Sequence, residues 1–352
     1  MKIIHCADVH LGSKIERLPK LKAEERKAEL RASFSRMVEF AKTNGVAVIL
    51  LSGDVFDSDR PLKKDKRFFY DVVKANPEID FLYLRGNHDS RESYSEYGIE
   101  NLKTFSDEWT AYNYDEVAIS GIEIAPENAV SMYSTLKLDP SKLNIVMLHG
   151  QIGDVSGKDK INLNKLRNKN VDYLALGHIH SFKEGKLDDR GRFAYCGCLE
   201  GRGFDEAGKK GFVLLDIGSR IESRFVPFAR REVAEFTVDI SEVRNAYEAY
   251  VKVKSEVNSA RQNIIRINLV GETGFDDEFL ASEVEEHLST DYYFVSVKDR
   301  TERKAASYDY SGDLSLKGEF IRCVLANDDL SEADKREVIA IGLKALAGKE
   351  VQ

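Results

Sequence analysis

The run Lys2-Ile3-Ile4-His5-Cys6-Ala7-Asp8-Val9-His10 decides the fold. It begins as an apolar, β-branched strand of the kind buried on both faces, and it breaks off into a carboxylate and an imidazole. The same pattern recurs down the chain. Apolar runs at Val46 to Ser52, Phe81 to Leu84, Asn144 to Leu148 and Tyr173 to Leu176 all give way to Gly, Asp, Asn or His within three residues. Between the first two strands, Leu30, Phe34, Met37, Val38 and Ala41 recur at three- and four-residue steps. That spacing predicts an amphipathic helix over Ala23 to Lys42, stopped by Asn44-Gly45. Further strands are expected at Val117 to Ile124, Phe193 to Leu199, Gly211 to Ile217 and Ser223 to Phe228, joined by Gly-rich turns. Strands flanked by helices make a layered α/β unit spanning residues 1–231.

A chain of 352 residues exceeds what one core usually serves, so further units are expected. Residues 232–304 read as a small α/β unit. Its expected elements are a strand at Phe236 to Ile240, a helix at Ser241 to Ala260, a strand at Asn263 to Val270, a helix at Asp276 to Leu288 and a strand at Tyr292 to Lys298. Residues 305–352 read as a polar linker, Ala305 to Gly312, and two helices, Leu316 to Ala326 and Ser331 to Ala347. Two helices are too few to own a core, so they are expected to pack on the body or on a partner. No run approaches a membrane span, and Met1 leads straight into a strand, so a soluble, cytoplasmic protein is expected. Cys6, Cys196, Cys198 and Cys323 are too irregularly spaced for a disulfide framework and read as reduced thiols.

Charge is unevenly spread. The formal net charge is −8, yet residues 1–230 hold 36 basic and 35 acidic side chains, against 16 and 25 in the remainder. An acidic whole argues weakly against nucleic acid as a partner. A near-neutral first unit whose carboxylates hold divalent cations would present a positive local field.

Six of the seven histidines precede residue 181. Asp8-Val9-His10 follows the first strand, and its two-residue spacing points an oxygen and an imidazole nitrogen to one side of an extended chain. Gly53-Asp54 follows the second, where Asp54 could equally be a helix cap. Gly86-Asn87-His88-Asp89 follows the third. There Asn87 offers a neutral ligand oxygen and His88 could meet substrate with its ring oriented by Asp89, although Gly-Asn also serves in ordinary turns. His149-Gly150 and Gly177-His178-Ile179-His180 follow the fourth and fifth. Any one histidine could be a satisfied core residue, but core packing does not explain all of them at successive strand ends. Asp8, His10, Asp54, Asn87, His149, His178 and His180 are too many ligands for one ion. They suit two ions sharing a carboxylate, about 3.5–4 Å apart, with His88 to spare. Oxygen and imidazole donors without thiolate favour Mn²⁺, with Mg²⁺, Fe and Zn²⁺ open.

Read together, Asp8-x-His10, Gly53-Asp54, Gly86-Asn87-His88-Asp89, His149 and Gly177-His178-x-His180 resemble the five motifs of the calcineurin-like metallophosphoesterases. Within them the chain is most similar to the SbcD-type DNA repair exonucleases, through Cys6 to Gly12, Gly53 to Asp57, Leu176 to His180 and Tyr195 to Glu200. The resemblance covers about Met1 to Phe228 and implies a two-sheet sandwich flanked by helices, followed by a capping domain. It also implies that Asp8, His10, Asp54 and His180 hold one ion and Asp54, Asn87, His149 and His178 the other, with Asp54 bridging. His88 would stand over the scissile phosphate, oriented by Asp89. It further implies a DNA substrate, a homodimer and an SbcC-like, SMC-type ATPase gripped by the C-terminal helices.

Two other readings remain open: a phosphoesterase for small molecules or phosphoproteins, and a DNA-tethering subunit of an ATPase complex. Protein phosphatases of the superfamily share Arg85-Gly86-Asn87-His88 but carry Asp-Arg-Gly where this chain has Asp57-Ser58-Asp59-Arg60, which favours the nuclease. Lys14, Arg17, Lys63, Lys64, Arg67, Lys183, Lys186, Arg190 and Arg192 are candidate DNA-backbone contacts or ordinary surface charges.

Overall fold

A computed structural model describes residues 1–15, 18–89, 98–273, 279–303 and 314–346. It contains two compact units, Met1–Val233 and Ala234–Gln352. The first runs β1 (Lys2–Cys6), α1 (Lys20–Thr43), β2 (Val46–Ser52), α2 (Lys63–Lys74), β3 (Asp80–Leu84), β4 (Leu102–Thr104), β5 (Thr110–Tyr114) and β6 (Val117–Gly121). It continues through α3 (Met132–Thr135), β7 (Leu143–His149), β8 (Gln151–Ile152), β9 (Lys160–Ile161), β10 (Tyr173–Gly177), β11 (Lys183–Lys186), β12 (Arg192–Tyr195), β13 (Gly211–Ile217) and β14 (Ile221–Pro227).

These strands form two six-stranded sheets, ordered β14-β13-β1-β2-β3-β4 and β11-β12-β10-β7-β6-β5. Alternation along each strand decides which layer it feeds. From β1, Ile4 and Cys6 turn outward to Phe34, Met37 and Val38 of α1 and Phe69 and Val73 of α2. Ile3 turns inward with Val48, Leu50 and Leu82 against Ile119, Ile145, Met147, Tyr173 and Ala175 of the second sheet. The far face of that sheet is covered by Met132, Tyr133, Leu166 and Val171. Burying a Leu, Ile or Phe in such a layer contributes about 1.5–3 kcal/mol, which is why these runs carry no polar alternation.

α1 ends as its sequence predicts, with Asn44 followed by Gly45 at φ +65°. α2 has no counterpart in the sequence reading, because its first turn is Lys63-Lys64-Asp65-Lys66 and only Phe69, Tyr70 and Val73 form a buried apolar stripe. The motif-bearing strands divide between sheets. β1, β2 and β3 are parallel neighbours in one, and β7 and β10 are parallel neighbours in the other. A strand's residues encode its burial but not its partner, so the second sheet is invisible to periodicity alone.

The second unit runs β15 (Val233–Asp239), α4 (Ala246–Glu256), β16 (Ile264–Val270), β17 (Glu272–Thr273), α5 (Leu280–Leu288), β18 (Phe294–Asp299), β19 (Glu302–Arg303), α6 (Leu316–Leu325) and α7 (Glu332–Leu346). A three-stranded sheet, β15-β16-β18, packs with α4 and α5 around Val253, Ile265, Ile267, Leu269 and Val284. α4 is shorter than the Ser241 to Ala260 expectation, starting where the Asn245 side chain accepts from the Glu248 amide. Residues 276–278 of the predicted second helix, and the expected linker Ala305 to Gly312, lie outside the described residues. α6 and α7 share a small apolar cluster of Ile321, Val324 and Ile339.

Candidate metal centre

Within each sheet the carboxyl ends of the motif strands come out level, since Cys6 pairs with Leu51 and Ser52 with Leu84 in one and Gly177 with His149 in the other. The turns that follow are forced into rare backbone shapes. Asp8, His10, Asp54 and His178 have φ of 51°, 50°, 52° and 99°. Such left-handed conformations in non-glycine residues cost free energy and collect where function requires them. Two glycines make room. A Cβ on Gly177 would lie 2.0 Å from the Ser52 carbonyl and 2.8 Å from His149 Nδ1, and one on Gly86 would lie 2.2 Å from Asp54 Oδ1. Any larger residue at either position would push the strand ends apart.

All seven predicted ligands meet there. His10 Nε2 and His180 Nε2 are 3.1 Å apart, and the latter lies 4.0 Å from Asp8 Oδ1. His149 Nε2 faces Asn87 Oδ1 at 3.0 Å and Asp54 Oδ2 at 3.3 Å. His178 Nδ1 faces Asn87 Oδ1 at 3.1 Å. Asp54 Oδ2 also lies 4.0 Å from His10 Nε2, so this carboxylate touches both groups. Asp8, His10 and His180 form one trio able to hold an ion, and Asp8, Asp54 and His149 another.

The outer ring nitrogens explain why a cation fits. His180 Nδ1 sits 2.7 Å from Glu206 Oε1, His10 Nδ1 sits 3.1 Å from Asp57 Oδ1, and His149 Nδ1 sits 2.9 Å from the Ser52 carbonyl. Each of these partners is an acceptor, so a neutral ring in that place holds its proton on Nδ1 and turns the Nε2 lone pair inward, the form in which an imidazole binds a metal. The interior is then lined by acceptors facing acceptors, an arrangement that a positive charge relieves. The titration of the cluster's own side chains says the same. Burial, above all, pushes the Asp8 carboxyl up to about 7 against the pull of His149 and His180. Burial opposes charge on His149, but its hydrogen bond to Asp54 outweighs this and raises it to about 9. Asp54 is held well below the usual carboxylate range by the same pairing, despite its burial. A proton between them fills the role of a cation.

His88 stands exposed at the rim, its ring 5.2 Å from that of His10. The Asp89 side chain does not orient it. Asp89 Oδ1 and Oδ2 accept from the amides of Phe56, Val55 and Gly86, clamping two loops together. His88 Nδ1 instead lies 3.1 Å from the Asp57 carbonyl oxygen. Sequence adjacency suggested a side-chain pair where the chain uses a backbone acceptor 31 residues away.

Three functional residues escaped the sequence reading: Asp57 as a carboxylate backing His10, Glu206, and Arg202. Arg202 Nη1 donates to Asp57 Oδ1 at 2.7 Å, and its Nε and Nη2 donate to Glu206. Asp57 belonged to a quoted motif. Glu206 and Arg202 lie in a Gly-rich loop that reads as solvated chain. Among the candidate DNA contacts, Lys63 and Lys64 are exposed at the start of α2, whereas Arg190 is taken up by Asp172 at 2.8 Å and by the Lys142 carbonyl at 2.6 Å. Arg17 lies outside the described residues.

A family model described as calcineurin-like phosphoesterase matches residues 1–182. The chain is similar to the DNA double-strand break repair protein Mre11 of Sulfurisphaera tokodaii, at 24% identity over 97% of this chain and 92% of that protein. It is similar to an uncharacterized metallophosphoesterase, YhaO, of Bacillus subtilis, at 26% identity over 87% and 83%. A shorter stretch, 25% of this chain and 22% of the relative, is 34% identical to SbcD of the nuclease SbcCD from Rhodobacter capsulatus.

Proposed function

Because the chain belongs to the calcineurin-like phosphoesterase family, a family of metal-dependent phosphoesterases, we propose that it is a two-metal phosphodiesterase that cleaves DNA during repair. The observation that carries the reading is the inward-facing set of acceptors from Asp8, His10, Asp54, Asn87, His149, His178 and His180, with His88 exposed beside it. Divalent ions bound there, Mn²⁺ by preference, supply charge neutralisation on the phosphate oxygens and an acidified water for in-line attack.

The chain's own residues do the rest. Asp54 holds the two groups of ligands in one geometry, since its Oδ2 faces both His10 and His149. Its other oxygen accepts the His88 amide at 2.9 Å, which fixes the rim loop to the centre. His88, with Nδ1 against a carbonyl, presents Nε2 outward to hold a proton or a hydrogen bond at the departing oxygen. Exposed Lys63 and Lys64 supply cations for a phosphate backbone.

Repair nuclease names among the relatives and the lack of Asp-Arg-Gly after Asp57 favour DNA over a phosphoprotein. An SbcC-like ATPase is the proposed partner of α6 and α7, which leave Leu325, Val338, Ile341 and Leu346 exposed beside their shared cluster. A second copy of the chain is proposed as a further partner. The test is digestion of end-labelled duplex and single-stranded DNA, with and without Mn²⁺, beside a phosphopeptide. Metal-dependent DNA cleavage is expected. Full activity in excess chelator, or turnover of phosphopeptide with none of DNA, would refute it.

A further inference from the structure

The two groups of ligands are backed differently. Behind Asp8, His10 and His180, both imidazoles rest on carboxylates: Asp57 at 3.1 Å and Glu206 at 2.7 Å. On the other side, His149 rests on the neutral Ser52 carbonyl, and Asn87 is a neutral ligand at the rim. A carboxylate behind an imidazole strengthens its lone pair and fixes the ring, whereas a carbonyl does so less.

One side chain ties the two carboxylates together. Arg202 reaches Asp57 through Nη1 at 2.7 Å and Glu206 through Nε at 3.1 Å, while its own amide donates to Glu206 Oε2 at 2.7 Å. Its Nη1 also lies 3.3 Å from Ser13 Oγ, just past the first motif. The guanidinium is planar and fork-shaped, so it sets the angle between the carboxylates as well as neutralising one of their two charges. Three segments, the turns after β1 and β2 and the loop after β12, are thereby locked around one half of the centre. Lys210 adds a fourth point, with Nζ 2.7 Å from the His180 carbonyl.

We propose that Arg202 is a positioning residue that acts through Asp57 and Glu206 on His10 and His180, and that it makes the two metal positions unequal. The position of Asp8, His10 and His180 is the tight one. The position of Asn87, His149 and His178 exchanges. The proposal rests on the two-metal reading above and adds the asymmetry to it.

Binding of Mn²⁺ to the purified full chain, followed by the loss of the free-ion electron paramagnetic resonance signal, tests it without using activity. Wild type is expected to take up two ions in two separate steps. In Arg202→Gln the tighter step is expected to weaken about 10- to 100-fold, as for other losses of an outer partner, while the weaker step stays put. Arg202→Lys keeps the charge but cannot span both carboxylates, so its rescue is expected to be incomplete. Asn87→Ala is the mirror case, losing the weaker step alone. Two equal steps in wild type, or parallel weakening of both in Arg202→Gln, overturn the proposal. If Arg202→Gln does not fold, Glu206→Gln carries the same expectation. A wild-type chain that binds no Mn²⁺ overturns the two-metal reading itself, and the asymmetry with it.

Discussion

The two units bury different things. In Met1–Val233 the buried set includes Asp8, His10, Arg26, Glu29, Asp54, Asp65, Asp89, His149, Glu200, Glu206, Lys210 and Arg231. In the second unit the buried polar side chains are Asn263, Asn268, Thr273 and Lys335, so among the described residues Lys335 is its one buried charge. Burying charge costs several kcal/mol per ion unless partners answer it. The first unit accepts that cost around its metal centre and again where Arg26 and Arg231 bracket Glu29. The second unit has an apolar core and, among the described residues, no comparable cluster.

The largest effects should come from the first unit's centre. Asp54→Ala is expected to abolish hydrolysis and release metal, because both ligand groups converge on that carboxylate. His88→Ala is expected to lower turnover by roughly 10²–10⁴-fold while metal content, read by atomic absorption, stays at the wild-type level. Equal metal loss in both variants would erase the distinction between a ligand and a substrate-facing residue.

Next comes a change confined to the apolar core. Ile267 is fully buried in the second unit, so Ile267→Ala should cost about 2–5 kcal/mol of that unit's stability. Trp109, the single tryptophan, lies in the first unit, and its fluorescence midpoint in urea should not follow. If it shifts in parallel, the units unfold as one.

Acid should distinguish them as well. His5 is buried with Nδ1 3.0 Å from the Tyr173 hydroxyl, and burial lowers its imidazole to about 3. The unfolded chain takes up that proton near 6.5, so stability is full above about pH 6.5 and falls as pH drops toward 3, by on the order of 5 kcal/mol in total. Urea melts of His5→Gln followed by Trp109 should show a shallower pH slope than wild type between about pH 7 and pH 4.5. An unchanged slope would assign the acid sensitivity to other groups.

The smallest effect on chemistry is expected at the chain's end. Removing Gly312 to Gln352 should leave Mn²⁺ binding and cleavage of a simple phosphodiester intact while ending co-purification with an SbcC-like ATPase. Retention of the partner by the truncated chain would move the docking surface elsewhere.

What the sequence disclosed follows the same division. The seven acceptors were legible because each stands in a short motif after an apolar run, and because their number exceeds what core packing explains. Arg202 and Glu206 were not, since a loop rich in glycine and charge looks the same whether it is solvated or folded under a metal centre. The two-sheet sandwich that the family resemblance implied is present, but periodicity alone could not show it: Ile3 and Ile4 say that β1 has two covered faces, not that one cover is a sheet and the other a pair of helices. The Asp89 assignment failed because neighbours in sequence need not face each other across a turn.

The left-handed backbone at Asp8, His10, Asp54 and His178 bears on how this site could decay. Glycine at any of these positions would relax the local conformation, and at Asp8 or Asp54 it would also remove a buried charge. That relief is opposed at both carboxylates, because Asp8 accepts the His178 amide and Asp54 accepts the His88 amide and pairs with His149. Strain relief and loss of polar atoms thus fall on the same four residues, so a variant at any of them is expected to change folding stability and the candidate metal site together.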